Sequence, residues 1–138
     1  MMTDFLKRKS CWLSLGVVVL VDQVTKGLVE LGWWGGVTTI NPGFAFGLGI
    51  ESTVAQTIIL ALGWGLIGWI LLTHFTKKYV YVGLFLGGGL SNLIDRIIWG
   101  GVRDWLSVPL MGMQNNLADW AIAIGLGGLL FDVWLRRK

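Results

Sequence analysis

Charged residues are scarce in this chain. Asp, Glu, Lys and Arg make up 14% of its 138 residues, whereas 54% are hydrophobic. Soluble domains carry about 25% charged residues, so the shortage excludes an ordinary soluble domain and favours a protein that folds in a lipid bilayer. The length suits one compact unit and leaves no room for a second domain. We therefore predict a single membrane domain over residues 1–138.

Cysteine and histidine each occur once, as Cys11 and His74. One cysteine cannot form a disulfide within the chain, and a single cysteine with a distant histidine cannot build a zinc site. The chain also lacks a stripe of basic residues interleaved with polar ones, which is typical of nucleic-acid-binding surfaces. The sequence therefore predicts no metal, no cofactor and no nucleic-acid partner.

Long apolar runs dominate the rest of the chain. A spanning helix needs about 20 mostly apolar residues, and four stretches qualify, at about 11–31, 54–75, 79–99 and 117–135. The first continues through Asp22 without a small-residue cleavage site, which favours a retained helix over a cleaved signal peptide. The sequence thus predicts an all-α integral membrane protein with four transmembrane helices.

The basic residues indicate how these helices are oriented. They cluster at 7–9, 74–78 and 136–138, at ends that four crossings bring to one side. Positively charged segments remain in the cytoplasm, so we expect both termini there. The connections at about 32–53 and 100–116 then lie outside the membrane.

Polar side chains inside the predicted helices lie at similar depths. Counted from the cytoplasmic helix ends, Lys26, Asp95 and Asp119 each lie ~26 Å up, while Asp22 and Asn92 lie ~20 Å up. A charge inside the membrane costs about 2.5–3.5 kcal/mol or more. We therefore expect these groups to pair with one another in the outer part of the bilayer.

Several of these groups are three or four residues apart, which places them on shared helix faces. The pairs are Asp22 with Lys26, Asn92 with Arg96, and Asn116 with Asp119. For Asp95, both Arg96 and Arg103 are candidate partners. Three interpretations stay open from spacing alone: a catalytic site, the ion path of a small four-helix transporter or channel, and structural clamps in a membrane subunit.

Two consecutive glycines, Gly100 and Gly101, offer an end for the third helix. After such a break the chain can fold back onto the membrane edge, which would bring Asp104 to face Asp119 at the start of the fourth helix. Spacing alone does not decide between this arrangement and an Asp104 that lies away from the other charges.

Five short motifs occur in order along the chain: DQVTK at 22–26, NPGFAFG at 41–47, GGGLSNLIDR at 87–96, VRDW at 102–105 and NLAD at 116–119. Together they resemble the ordered motifs of bacterial lipoprotein signal peptidase (signal peptidase II), over about residues 11–135. The resemblance implies an intramembrane aspartic endopeptidase that removes the signal peptide of a prolipoprotein, cleaving before a cysteine that already carries diacylglycerol. It also implies a small extracytoplasmic loop and strand region between helices 1 and 2.

The same resemblance assigns roles to individual residues. By motif position, Asp104 and Asp119 would be the catalytic pair. Asn92, Arg96 and Asn116 would line the site and hold the substrate backbone or the catalytic water. The positions that match supporting or binding residues of the family are Asp22, Lys26, Asn41, Gly43 and Asp95.

The implied partners are the diacylglyceryl-modified prolipoprotein and membrane lipid. The expected location is the bacterial cytoplasmic (inner) membrane, with the active site toward the outer leaflet and the protein acting as a monomer. The chain departs from the family pattern in its short segments between Lys26 and Asn41 and between Asp104 and Asn116, and Trp105 and Asn115 stand where phenylalanine is typical.

Overall fold

The computed structural model describes residues 2–42, 53–75, 78–108 and 112–137. Its long elements are four helices, α1 (Met2–Glu30), α2 (Thr53–Ile70), α3 (Tyr79–Trp99) and α4 (Leu117–Arg136). A π-helical turn, Leu71–Phe75, continues α2. Helix α1 begins at Met2, ahead of the predicted start near residue 11, because lysine and arginine are good helix formers and the basic segment does not interrupt the helix.

Within the part of the chain that the structure describes, three segments are long and apolar enough to cross a membrane, Lys9–Glu30, Val54–Thr73 and Leu117–Arg136. Their outward faces expose large apolar side chains such as Leu20, Leu62 and Leu130. A soluble protein rarely leaves such large contiguous apolar surfaces uncovered. The chain therefore has the composition and the surface of a membrane protein.

Helix α3 packs against each of the other three helices. Its three consecutive glycines allow this close packing, since each faces a different neighbour. A Cβ atom on Gly87 would lie 2.8 Å from the carbonyl oxygen of Leu15 in α1, and one on Gly88 would meet the α4 backbone. A Cβ on Gly89 would overlap the indole of Trp64 in α2. Side chains at these positions would push the helices apart.

Short strands complete the fold at one end of the helices. β1 (Thr39–Asn41) pairs antiparallel with β2 (Val102–Asp104), and β3 (Leu106–Val108) pairs with β4 (Met113–Asn115). The mostly helical fold with a strand between α1 and α2 agrees with the prediction, whereas the strands in the connection between α3 and α4 were not predicted. A lone β1 would leave its backbone groups unpaired, and β2 supplies their partners.

Candidate active site

Asp104 reaches the site because the chain reverses direction after α3. Gly100 ends the helix with φ +73°, a left-handed conformation that glycine adopts readily, and its N–H donates to the Arg96 carbonyl. The next residue, Gly101, lies so close to β1 that a Cβ would come within 2.9 Å of the Asn41 carbonyl oxygen. The reversal that the two glycines predicted is thus present, and it places Asp104 opposite Thr39 in the strand pair.

The carboxylate of Asp104 is buried and accepts hydrogen bonds from two side-chain amides. Asn116 donates from Nδ2 to Oδ1 at 2.7 Å, and Asn41 donates from Nδ2 to Oδ2 at 3.2 Å. Burial raises the pKa of Asp104, and the nearby charge of Asp119 acts in the same direction, while the two amide donors partly oppose them. Asp104 therefore retains its proton to higher pH than an ordinary aspartate.

Asp119 lies in the first turn of α4, where a capping box holds its carboxylate. The Asn116 side chain accepts from the Asp119 N–H at 3.0 Å, and Asp119 Oδ2 accepts from the Asn116 N–H at 3.3 Å. Asn92 of α3 donates to the other oxygen, Oδ1, at 2.8 Å. A helix N-terminus favours a negatively charged side chain.

Asn116 connects the two aspartates. Its Nδ2 binds the side chain of Asp104 and its Oδ1 binds the backbone of Asp119. The residue is fully buried, so both contacts are shielded from water. One side chain therefore fixes the strand that carries Asp104 relative to the helix that carries Asp119. The ionised form of one carboxyl group then disfavours ionisation of the other, because like charges held near each other repel.

Lys26 of α1 is fully buried and contacts residues that support Asp104 and Asp119. Its Nζ is 2.6 Å from Asp22 Oδ2, 2.9 Å from Asp95 Oδ2 and 3.4 Å from Asn92 Oδ1. The contact with Asn92 orients that amide, since its oxygen faces the ammonium group and its nitrogen faces Asp119. The lysine thus neutralises two carboxylates and positions a hydrogen-bond donor of the site.

Asp22 joins three helices. Besides Lys26, its carboxylate accepts from Ser91 Oγ of α3 at 2.7 Å and from the Ala118 N–H of α4 at 2.9 Å. The latter contact places a negative charge at the N-terminal end of α4, where the helix dipole stabilises it. Asp22 therefore fixes the start of α4, and with it the height of Asp119.

The arginine that pairs with Asp95 is Arg103 rather than Arg96. Arg103 contacts Asp95 Oδ1 through its guanidinium at 2.8 Å and Asp95 Oδ2 through its backbone N–H at 3.0 Å. The guanidinium also binds Gln23 Oε1 at 2.7 Å and Glu30 at 3.2 Å. Because Arg103 precedes Asp104, this cluster anchors the strand that carries the aspartate to α1 and α3.

The residues predicted from the sequence do not include three that the structure brings into the network, Gln23, Glu30 and Ser91. Gln23 donates to Ser91 Oγ at 2.9 Å and to Asp95 Oδ1 at 2.9 Å. A polar side chain next to Asp22, in the middle of an apolar helix, was the available signal, because intramembrane polar groups need partners. Gly43 lies outside the described residues, so its predicted role stays a prediction.

A cavity of about 190 Å³ adjoins Asp119. Its polar side carries Asn92, Arg96 and Asp119, and its remaining walls are mostly apolar. Arg96 is partly buried and lies beside the cavity rather than in the Lys26 cluster. Within the described ranges, no group of three or more His, Cys, Asp or Glu residues could hold a metal ion. The polar groups at hand for chemistry are thus a carboxyl pair, amides and a guanidinium.

Known proteins resemble this chain in sequence and in fold. The signal peptidase (SPase) II family matches residues 14–135. The lipoprotein signal peptidase of Ralstonia nicotianae is 33% identical, with 91% of this chain and 84% of that protein aligned. That of Desulfitobacterium hafniense is 30% identical, with 92% and 94% aligned.

The fold is similar to that of a solved bacterial membrane enzyme. The TM-score is 0.75 at 23% identity, and the match covers 94% of this chain and 95% of that one. The structural likeness supports the arrangement of the helices. The family match includes both Asp104 and Asp119. This chain therefore belongs to the signal peptidase II family of membrane proteases.

Proposed function

We propose that this chain is an intramembrane aspartic endopeptidase that removes the signal peptide from diacylglyceryl-modified prolipoproteins, cleaving before the lipidated cysteine. The observation that carries the proposal is the attachment of Asp104 and Asp119 to one buried residue, Asn116, beside a largely apolar cavity. The relatives named lipoprotein signal peptidase supply the class of substrate.

The two aspartates divide the chemistry of hydrolysis between them. One carboxylate takes a proton from water, and the other, as the acid, donates a hydrogen bond to the scissile carbonyl. The raised pKa of Asp104 supports a role for this residue as the acid. Asp119, at a helix N-terminus and held by Asn92, is then the base that activates water.

The surrounding residues position this pair. Asn41, Asn92 and Asn116 orient the carboxyl groups through their amides. Arg96 lies on the polar side of the cavity, and in this proposal it holds the substrate backbone or the catalytic water. Ion pairs of Lys26 with Asp22 and Asp95 support the site.

A transporter or channel is less well supported, because its buried charges should continue as a path through the membrane. The carboxylates of Asp22 and Asp95 are instead engaged by Lys26 and Arg103 at one end of the bundle. The stretch of α3 from 79 to 90 contains no Asp, Glu, Lys, Arg or His that could extend them toward the other end.

Incubation with substrate tests the function directly. We expect purified protein in detergent to shorten a prolipoprotein that carries diacylglyceryl-cysteine, giving a product that begins with the lipidated cysteine by mass spectrometry. The matched control is the same prolipoprotein without the lipid, which we expect to remain uncut. An intact lipidated substrate after incubation with folded protein would argue against the proposed activity.

We further propose that the chain crosses the bacterial inner membrane four times as a monomer, with both termini in the cytoplasm and the aspartates toward the outer leaflet. The α3–β2 and β4–α4 junctions, which carry the aspartates, lie at the helix ends opposite the termini. The basic clusters at 7–9 and 136–138 support a cytoplasmic location for those termini.

Cysteine labelling in intact cells tests this orientation. In a variant with Cys11 replaced, we expect a membrane-impermeant thiol reagent to label a cysteine at Gln114 and to leave one at Arg137 unlabelled. Permeabilised cells serve as the control, since both cysteines should react there. Labelling at Arg137 but not at Gln114 in intact cells would reverse the proposed topology.

A further inference from the structure

Trp34 has an unusual backbone conformation. It lies in the short helical turn Trp33–Gly35, between α1 and β1, and its φ is +58°. Among the residues that the structure describes, it is the only one other than glycine with a positive φ. A bulky side chain is costly in this left-handed region, because its Cβ atom crowds the backbone. Contacts with the rest of the protein must therefore hold Trp34 in place.

The contact that offsets this cost is a stack of Trp34 on Trp105. The two ring centroids are 6.1 Å apart and the ring planes differ by 16°. Trp33 meets the Trp34 ring edge-on, with centroids 6.4 Å apart and planes 71° apart. Both arrangements are favourable for aromatic rings at these distances. The strained turn thus brings its indole against a residue that is about 70 positions away in sequence.

The orientation of the Trp105 ring depends on packing. Its indole N–H is buried and donates to no acceptor within the described ranges, although a buried tryptophan usually finds a partner for this group. No hydrogen bond therefore orients the ring, and the stack with Trp34 is the ring contact that does so.

Trp105 is also joined to both aspartates through the backbone. It directly follows Asp104, and its own N–H donates to the Asn115 carbonyl at 3.0 Å. Asn115 directly precedes Asn116, whose side chain binds the Asp104 carboxylate and the Asp119 N–H. A shift of Trp105 would therefore move Asp104 relative to the residue that aligns it with Asp119.

We infer that Trp34 is a positioning residue, which acts through Trp105 to hold Asp104 in its catalytic position. The inference rests on the proposed function and adds the turn between α1 and β1 to the parts of the chain that align the two carboxyl groups. Trp34 does not line the cavity beside Asp119. Its loss should therefore slow the chemical step and leave substrate binding largely intact.

Trp34→Gly tests the inference, because glycine removes the ring and adopts a positive φ readily. We expect kcat for a lipidated prolipoprotein to fall by about tenfold or more with KM within about twofold of wild type, since small displacements of a catalytic group slow the chemical step. The melting temperature should stay close to that of the wild-type protein, because relief of the backbone strain offsets loss of the stack. Trp34→Phe keeps a ring to stack on Trp105 and should retain most of the wild-type kcat. A raised KM with wild-type kcat in Trp34→Gly would contradict a positioning role.

The matched control is Trp33→Leu. Trp33 and Trp34 are neighbours with similar exposure, 58% and 65%, but only Trp34 stacks on Trp105. We expect Trp33→Leu to keep kcat close to the wild-type value. An equal loss of kcat in Trp33→Leu and Trp34→Gly would mean that the two indoles act by anchoring the turn in the membrane interface, and would overturn the inference.

Hydrogen–deuterium exchange separates this inference from the proposed function. In Trp34→Gly we expect the backbone amides of residues 102–106 to exchange faster than in the wild-type protein, and those of α3 to exchange at the wild-type rate. If the folded wild-type protein cuts no lipidated prolipoprotein, the proposed function fails, and exchange alone decides whether Trp34 holds the strand: faster exchange at 102–106 supports this contact and unchanged exchange refutes it.

If the wild-type protein cuts the substrate but a folded Trp34→Gly keeps the wild-type kcat, the function stands and the role of Trp34 is refuted. Where Trp34→Gly does not fold, Trp34→Asn decides in the same way, because asparagine also tolerates the left-handed conformation: a lowered kcat supports the inference and a wild-type kcat refutes it.

Discussion

Asp104→Asn and Asp119→Asn are expected to abolish cleavage while leaving the protein folded and able to bind prolipoprotein. Asparagine retains the size of aspartate but lacks the ionisable proton, and loss of acid–base catalysis typically costs about 10²–10⁴-fold in rate. Because the two carboxyl groups act as a unit, the double variant should be little worse than either single one. Product formation and thermal unfolding, measured in the same detergent, check the prediction.

The hydrogen bonds around each aspartate explain why the fold should tolerate the change. Asp104→Asn turns one acceptor into a donor, and the exposed Asn41 can rotate its amide to present oxygen to it. Asp119→Asn can keep its oxygen toward the Asn116 N–H and so preserve the capping box. The loss is then confined to the bond from Asn92, which is worth about 0.5–1.5 kcal/mol for a typical hydrogen bond.

Two further Asp→Asn variants separate catalysis from structure. Asp132 lies on the same helix as Asp119, near its other end, and pairs with Arg136. We therefore expect Asp132→Asn to leave activity and stability unchanged. Asp95→Asn should lower stability, since Arg103 loses its buried carboxylate, and should reduce the rate only in part. Substantial turnover by Asp104→Asn or Asp119→Asn would eliminate the aspartic mechanism.

Much of the helical framework could be predicted because its signals are local. An apolar run of about 20 residues and a pair of glycines at its end both act over one helix and need no distant partner. The positions of Asp22, Lys26 and Asn92 on inward faces likewise follow from spacing. These residues lie in buried contacts with one another, as helical periodicity indicates.

Neither the partner of Asp95 nor the strands could be predicted from such local signals. The sequence left both Arg96 and Arg103 open as partners, and the reversal at Gly100 is what turns Arg103 back onto Asp95. Residues adjacent in a helix do not face each other, which disfavours Arg96. The strand pair of 39–41 with 102–104 joins distant three-residue segments, which are too short to show a periodic pattern.

The predicted roles of the site residues came from the family resemblance more than from residue spacing. Spacing alone left Asp104 without a defined position, because nothing local to VRDW shows that Asn116 will bind its carboxylate. Gln23 was missed for a related reason: its contacts with Ser91, Asp95 and Arg103 exist only after three segments assemble. Long-range polar networks of this kind are specified by tertiary packing.

Lys26→Met is expected to destabilise the protein more than any other single change in the supporting network. The ammonium lies 2.6 Å from Asp22 and 2.9 Å from Asp95, and all three side chains are fully buried. Removing one partner from a buried ion pair typically costs about 3–5 kcal/mol, because a charge is left uncompensated. Asp95 keeps Arg103, so most of the penalty should fall on Asp22, whose remaining donors are Ser91 and the Ala118 N–H.

The free energy of unfolding in mixed detergent, together with cleavage rate, measures this loss. Lys9→Met is the matched control, since Lys9 is an exposed lysine on the same helix, and it should leave both quantities unchanged. The double variant Asp22→Asn/Lys26→Met removes one charge of each sign and should recover part of the stability, giving a coupling energy between neighbouring residues. Cleavage should recover less than stability, because Asn92 still lacks the lysine that orients its amide toward Asp119. Wild-type unfolding and wild-type cleavage in Lys26→Met would instead mean that the carboxylates of Asp22 and Asp95 need no buried cation, and that the site is positioned by Arg103 and the amides alone.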